Sequence, residues 1–184
     1  GAYISFVAPA MPTGPWIVIV ISTIAFISFF LASKRGVIYR LIRQNNIRQT
    51  INNENVLKVL YQLGEENKNF FIPRHLDEII RRRKYEKSTL QSILRRLLNQ
   101  GYVEQTGNLW SLSDAGKNKA QRVVKIHRLW ELYLTTYMKI APDHVHEDAE
   151  TIEHLLTPEL EAELEKQLGY AKLDPHQTNI PYHE

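Results

Sequence analysis

The side chains best suited to chemistry lie in the second half of this 184-residue chain. His127 and Glu131 stand four residues apart, so on a helix they share one face. Downstream, His146, Glu150, Glu153 and His154 fall at offsets 0, 4, 7 and 8, again one helical face. Apolar residues take other faces: Leu129, Trp130 and Tyr133 on the first stretch, Ala149, Ile152 and Leu155 on the second. Imidazoles and carboxylates gathered on two helices joined by a short turn suit a divalent metal. Nitrogen and oxygen donors without sulfur favour Mn²⁺ or Fe²⁺, with Zn²⁺ competing through its higher intrinsic affinity. The same spacing also makes ordinary i,i+4 His–Glu pairs on a solvated face, and at this level both readings stand. The chain has no cysteine, which excludes thiolate metal sites, disulfides and a Cys nucleophile. No nucleophile is marked and no glycine-rich phosphate loop is present, so the expectation is a binding protein and not an enzyme.

A second set of residues is basic. Lys87, Ser88, Thr89, Gln91, Ser92, Arg95 and Arg96 are types that reach phosphates and base edges from a helix in the major groove of DNA. Leu90, Ile93, Leu94, Leu97 and Leu98 are expected to form that helix's core face. The run Arg81-Arg82-Arg83-Lys84 just before it would lie near a nucleic-acid backbone; a solvated surface and contact with anionic lipid are the alternatives. Charge is divided in the same sense. Residues 34–128 carry 20 Lys/Arg against 8 Asp/Glu, and residues 129–184 carry 3 against 12. An anionic partner for the first part and a cation for the second follow from that split.

The elements that must position these groups are mostly helical. Asn53 is placed to cap a helix ending at Gly64. Ile72-Pro73 is expected to open a second helix, and Ser88 to cap a third that Gly101 stops. Residues 102–104 and 109–112 alternate like short strands around the turn signal Thr106-Gly107-Asn108. Three helices followed by a hairpin is the order of a winged helix-turn-helix. Helices are then expected over about 114–138, 145–156 and from Thr157-Pro158-Glu159 to Gly169, followed by an irregular tail.

The first 33 residues contain no charge at all. Residues 16–32 read WIVIVISTIAFISFFLA, with only Ser22, Thr23 and Ser28 polar. That length is at the short end of a membrane span. A buried helix would normally keep a polar face, and a signal peptide would carry its basic residues before the apolar run, whereas Lys34, Arg35, Arg40, Arg43 and Arg48 follow it. A transmembrane helix is expected, with everything after about residue 34 cytoplasmic by the positive-inside rule. The fold class expected is mainly α: one transmembrane helix (1–33), a basic juxtamembrane linker (34–52), a winged helix-turn-helix domain (53–113), and a helical domain that carries the candidate metal ligands (114–184), which the resemblance below implies is a metal-binding and dimerisation domain.

Two resemblances sharpen this. HRLWELYL (127–134), DHVHEDAETIEHLL (143–156), TPELEAELEKQLG (157–169) and DPHQTNIP (174–181) resemble the metal-binding and dimerisation domain of the iron-dependent repressor family (DtxR/MntR type). The upstream winged helix is similar to that family's DNA-binding domain, so the likeness covers about residues 53–181. It implies that Glu150, Glu153, His154 and His127 match metal ligands, and that His146 and Glu131 match ligands of an ancillary site. Glu150 stands where iron-type members carry Cys and manganese-type members Glu, which tilts the metal to Mn²⁺. At the family's first-helix ligand positions this chain has Asn55, a weak donor, and Lys58, a repelling cation. Residues 11–43 also look like the last transmembrane helix and cytoplasmic exit of manganese/zinc/iron-type ABC transporter permeases. Together these resemblances imply a cytoplasmic metal-sensing tail of such a permease in the cell membrane. It would dimerise through its C-terminal helices and work with an ATPase and a solute-binding subunit. The alternative is a metal-dependent DNA-binding regulator of the DtxR/MntR type.

Overall fold

The computed structural model describes residues 13–31, 37–140 and 156–182. The chain divides into two compact units, Gly1–Gln49 and Thr50–Glu184.

In the first unit, helix α1 spans Thr13–Leu31 and carries no acidic or basic residue in its terminal turns. Ile17, Val18, Ile19, Ile21, Ile24, Phe26, Ile27 and Phe29 are all exposed along it. The hydroxyl of Thr23 donates to the carbonyl of Ile19, 2.8 Å away, so this polar group is satisfied within its own helix. Nineteen residues rise about 28 Å at 1.5 Å each, just under the ~30 Å of a bilayer's hydrocarbon core. Among the described residues no helix is long and apolar enough to cross a membrane. The span expected over residues 16–32 therefore stands as an exposed apolar helix, without demonstrated membrane-crossing length.

Helix α2 is Val37–Glu66, longer than the segment expected to begin at a cap on Asn53. Asn53 lies within the helix and is buried, and its side-chain amide donates to Gln100 Oε1 at 3.4 Å. Gly64 does not stop the helix either. A Cβ there would sit 2.6 Å from Phe70 Cδ1 and 2.8 Å from Phe70 Cα, so its small size admits the returning chain. The second expected helix starts later than Ile72-Pro73 suggests. Arg74–His75 is strand β1, because Pro73 favours an extended start and the edge of β3 offers it a partner. Helix α3, Leu76–Arg82, follows with Asp77 and Glu78 in its first turn, and Arg83 ends it in an extended conformation.

Helix α4 is Lys87–Asn99, with Glu86 and not Ser88 at the N-cap; the Ser88 hydroxyl donates to Glu86 Oε1 at 2.8 Å. Strands β2 (Val103–Thr106) and β3 (Leu109–Leu112) form the hairpin, and the sheet order is β1-β3-β2. All pairs are antiparallel, with Arg74 opposite Trp110 and Val103 opposite Leu112. Helices α2, α3 and α4 with this sheet make the expected winged helix. Its core joins Val56, Leu57, Leu60, Ile79, Leu90, Ile93, Leu94, Leu97, Val103, Trp110 and Leu112. Leu98, expected in that core, is 37% exposed.

Helix α5, Asp114–Tyr137, is capped by Ser113, whose Oγ accepts from Gly116 N at 3.0 Å. Ala120 and Val124 of α5 complete the winged-helix core, while Leu129 anchors a second cluster with Leu164 and Ile180. Helix α6, Pro158–Gln167, starts as expected: the Thr157 side chain caps it and Pro158 fills the first turn. The tail is more ordered than its composition suggests. Asp174 Oδ1 accepts from the backbone of His176 and Thr178 at 2.9 and 2.8 Å, and Ile180 N reaches Lys172 O at 2.8 Å. The helix expected over 145–156 lies outside the described residues except for its last position, Leu156, which is not helical.

The start of α5 is pressed against the hairpin. A Cβ on Gly116 would fall 1.8 Å from the Tyr102 carbonyl oxygen, a backbone atom that cannot swing aside. Gly116→Ala is therefore expected to cost about 3 kcal/mol of stability, read as a lowered urea midpoint. An unchanged midpoint would show that the hairpin gives way freely.

Candidate functional site

The site is built on the middle turns of α5, where four ionisable side chains are buried: Lys125, His127, Arg128 and Glu131. Burying that much polarity on one helix is costly unless each group meets a partner. Each does, on α6, on α2 and the C-terminal loop, or within α5 itself.

Lys125 faces α6. Its Nζ lies 2.7 Å from Glu161 Oε1 and 2.6 Å from Glu165 Oε1, and Arg122 adds a contact to Glu161 Oε2 at 2.8 Å. Burial pushes the Glu161 carboxyl upward, but hydrogen bonds from Lys125 and Arg122, with their charges, outweigh it and hold the group below its ordinary value. Burial acts against the charged form of Lys125 too, and its bonds to Glu161 and Glu165 outweigh that, raising it.

Arg128 faces the end of α2 and the C-terminal loop. Its two terminal nitrogens donate to Glu65 Oε1 and Oε2 at 2.9 and 2.7 Å, and Nη1 also donates to the Asn179 carbonyl at 2.5 Å. Asp174 Oδ2 lies 3.6 Å from its Nε. The bidentate fork fixes its plane as well as its charge. Nearby, burial first and then the Glu65 carboxylate push the Tyr61 phenol up to about 12, so it stays neutral.

His127 and Glu131 come together as the spacing predicts, with Nε2 3.1 Å from Glu131 Oε1 and both residues 3% exposed. The solvated-face reading is thereby excluded for this pair. On the other side of the ring, Nδ1 lies 3.5 Å from Lys58 Nζ, and Lys58 is buried as well. Asn55, three residues before Lys58 on α2, holds a buried Oδ1 that meets no hydrogen-bond partner among the described residues. An imidazole nitrogen beside a carboxylate is a donor chemistry that fits a divalent metal. The other four expected ligands, His146, Glu150, Glu153 and His154, lie outside the described residues. Among the described residues no group of three or more His, Cys, Asp or Glu is gathered to hold a metal ion.

Lys87, Ser88, Thr89, Ser92 and Arg95 are exposed on α4, and Gln91 and Arg96 are half-buried. Between α4 and the wing lies a cleft of about 370 Å³, lined among others by His75, Gln91, Arg95, Gln105 and Asn108. Arg82, grouped by sequence with a backbone-facing run, is instead ion-paired with Glu66. The partners of Arg128 and Lys125 carry no local signal, since their separations of 36 to 63 residues are set only by the tertiary fold.

Residues 113–182 match the family model described as iron dependent repressor, metal binding and dimerisation domain. A "probable metal transport system membrane protein" of Chlamydia trachomatis serovar D is 33% identical over 176 residues, which is 93% of this chain and 38% of that protein. The chain thus spans under two-fifths of the length of the curated relatives it matches. Among solved structures, the manganese regulator SloR superposes with a TM-score of 0.63 at 26% identity, covering 71% of this chain and 60% of that one. A manganese-dependent transcriptional repressor in complex with manganese gives 0.62 at 29% identity, covering 71% and 58%.

The ion pairs around Lys125 set a pH window for the docking of α6. Glu161 has a lowered folded pKa, so its contribution is present above its ordinary 4.5 and is lost as pH falls through the lower folded value. Lys125, raised, contributes below its ordinary 10.5 and fails only above that. Thermal stability is expected to be flat between these limits and to fall below about pH 4.5. Glu161→Gln should cost about 2 kcal/mol at neutral pH, with Glu165 still holding Lys125, and should blunt the acid limb. An unaltered acid limb in that variant would place the acid sensitivity elsewhere.

The buried polar band of α5 therefore lies in a segment, residues 113–182, that matches the iron-dependent-repressor metal binding and dimerisation domain, set behind a winged helix in the order seen in manganese-dependent regulators of known structure.

Proposed function

We propose that residues 50–184 form a metal-responsive DNA-binding module of the DtxR/MntR type. The observation that carries this is the buried His127–Glu131 pair on α5, a helix whose other end is part of the winged-helix core. In this reading His127, Glu131, His146, Glu150, Glu153 and His154 hold a divalent metal, Mn²⁺ being favoured and Fe²⁺ or Zn²⁺ also suited to the donors. The metal supplies positive charge that gathers these ligands. The α4 face, with Lys87, Ser88, Thr89, Gln91, Ser92, Arg95 and Arg96, enters the major groove. Exposed Tyr137, Met138, Leu160 and Tyr170 on the C-terminal helices and loop support a homodimer through that end. The task is binding and not catalysis.

A second reading is favoured by a separate observation. The relative named as a membrane protein of a metal transport system aligns over 93% of this chain, and α1 exposes apolar side chains that call for a cover. In that reading α1 and the residues flanking it are the last membrane segment of a metal-importing permease in the cell membrane. The module is then its cytoplasmic tail, beside a bilayer, an ATPase and a solute-binding subunit.

Isothermal titration should show Mn²⁺ binding to the chain, weakened at least tenfold by His127→Ala. Mobility shifts with DNA upstream of metal-transport genes should strengthen with Mn²⁺ and weaken steeply with salt. Binding of DNA that ignores Mn²⁺, or no DNA binding at all, would remove the regulator reading. Fractionation of cells then separates the second reading: a membrane-bound product much larger than 21.5 kDa is expected for a permease tail.

A further inference from the structure

The first acidic residue of the sequence is Glu54, and before it stand Lys34, Arg35, Arg40, Arg43 and Arg48. The three later arginines lie on the opening turns of α2, within the first unit. There Ile38, Leu41 and Ile42 stand at offsets 0, 3 and 4, one helical face, and are 43, 59 and 56% exposed. Arg40 and Arg43, three apart, fall on the opposite face and are exposed as well. Exposed Tyr39 lies between the two faces. The pattern stops at Asn45-Asn46, since Ile47 falls on the arginine side and Arg48 on the apolar side. The surface is two turns long.

Such a surface asks for a cover that is apolar on one side and anionic on the other. A DNA duplex answers the arginines and offers the aliphatic side chains nothing. A protein core answers the aliphatics and strands the guanidiniums. The boundary between acyl chains and headgroups of an anionic bilayer answers both, because a helix bedded there keeps one face in hydrocarbon and the other among phosphates. Arginine's planar fork also suits phosphate oxygens. Helix α1, of the same unit, exposes an uncharged apolar surface too, and lipid is the cover that the two have in common.

We propose that the opening turns of α2, residues 38–43, bed into the surface of an anionic phospholipid bilayer, with Ile38, Leu41 and Ile42 among the acyl chains and Arg40 and Arg43 at the headgroup phosphates. This names the lipid chemistry that the second reading above leaves open. It needs neither a metal nor a crossing of the bilayer by α1.

The chain has no cysteine, so Leu41→Cys gives a single attachment point for an environment-sensitive fluorophore. The labelled full chain is mixed with vesicles of phosphatidylcholine alone or with one-third phosphatidylglycerol. Because α1 alone can hold the chain on either vesicle, the reading is taken at position 41, as quenching by lipids brominated on their acyl chains. Strong quenching is expected on the anionic vesicles and weak quenching on the neutral ones. Arg40→Gln with Arg43→Gln should lower the docked-to-undocked ratio at least tenfold, and high salt should weaken docking in the same direction. A label at Ile47→Cys should stay open to an aqueous quencher on both vesicles. Equal quenching at position 41 on the two vesicles, or quenching unchanged in the double variant, would overturn the proposal and leave α1 to carry any lipid contact. A label at 41 that stays in water on every vesicle would overturn it as well. So would a tenfold loss of affinity for a random DNA duplex in the double variant with quenching unaltered, which would assign the arginines to nucleic acid. None of these outcomes touches Mn²⁺ binding or the size of the membrane-bound product, so the proposal and the readings above fail separately.

Discussion

One rigid rod serves two cores. Helix α5 gives Ala120 and Val124 to the winged helix and Leu129 to the C-terminal cluster, so neither core is positioned independently of the other. A helix transmits position along its length because its backbone bonds are internal, and a shift at one end is felt at the other. Between the two apolar ends lies the stretch that carries Lys125, His127, Arg128 and Glu131. These side chains face three different neighbours: α6, the C-terminal loop with the end of α2, and the middle of α2. Hydrophobic contact fixes how deeply α5 is seated, and these paired charges fix its rotation and register, since a quarter-turn would strand each in an apolar site.

Much of this was legible in the chain. The spacing of His127 and Glu131 announced a shared face, and their separation of 3.1 Å bears that out. Leu90, Ile93, Leu94 and Leu97 marked the inner face of α4, and Thr157-Pro158 marked the start of α6. Leu98 misled because an apolar residue at the edge of a helical stripe reads the same from either side. The early boundaries misled for a different reason. Asn53 and Gly64 have the chemistry of helix ends, but tertiary packing used them otherwise: Asn53 is buried against α4's end, and Gly64 makes room for Phe70. β1 was missed because a two-residue strand has no period, only a partner.

What sequence could not supply was the pairing of charges. Lys58 announces itself as an unfavourable residue beside the expected metal ligands, and only the fold brings its Nζ to 3.5 Å from His127 Nδ1. Contacts to Lys58 on one side and Glu131 on the other orient the His127 ring, the preparation that a binding site needs from its surroundings. They also give the winged helix and the C-terminal domain a polar joint in addition to their apolar contact. A regulator that must change the angle between such domains would have to work against that joint, and one meant to hold the angle is helped by it.

Arg128 carries a consequence for the order of assembly on the ribosome. Its fork closes on Glu65, already synthesised, while Asp174 and Asn179 emerge later than Arg128 itself. Until they do, a buried guanidinium lacks part of its coordination, and Leu129 lacks Ile180 and Leu164 beside it. The nascent chain can complete most of the winged helix early, but α5 settles into its final seat only when the tail arrives. The loop around Asp174 and Asn179 thus acts as a latch on α5, and it must be synthesised before this interior is complete.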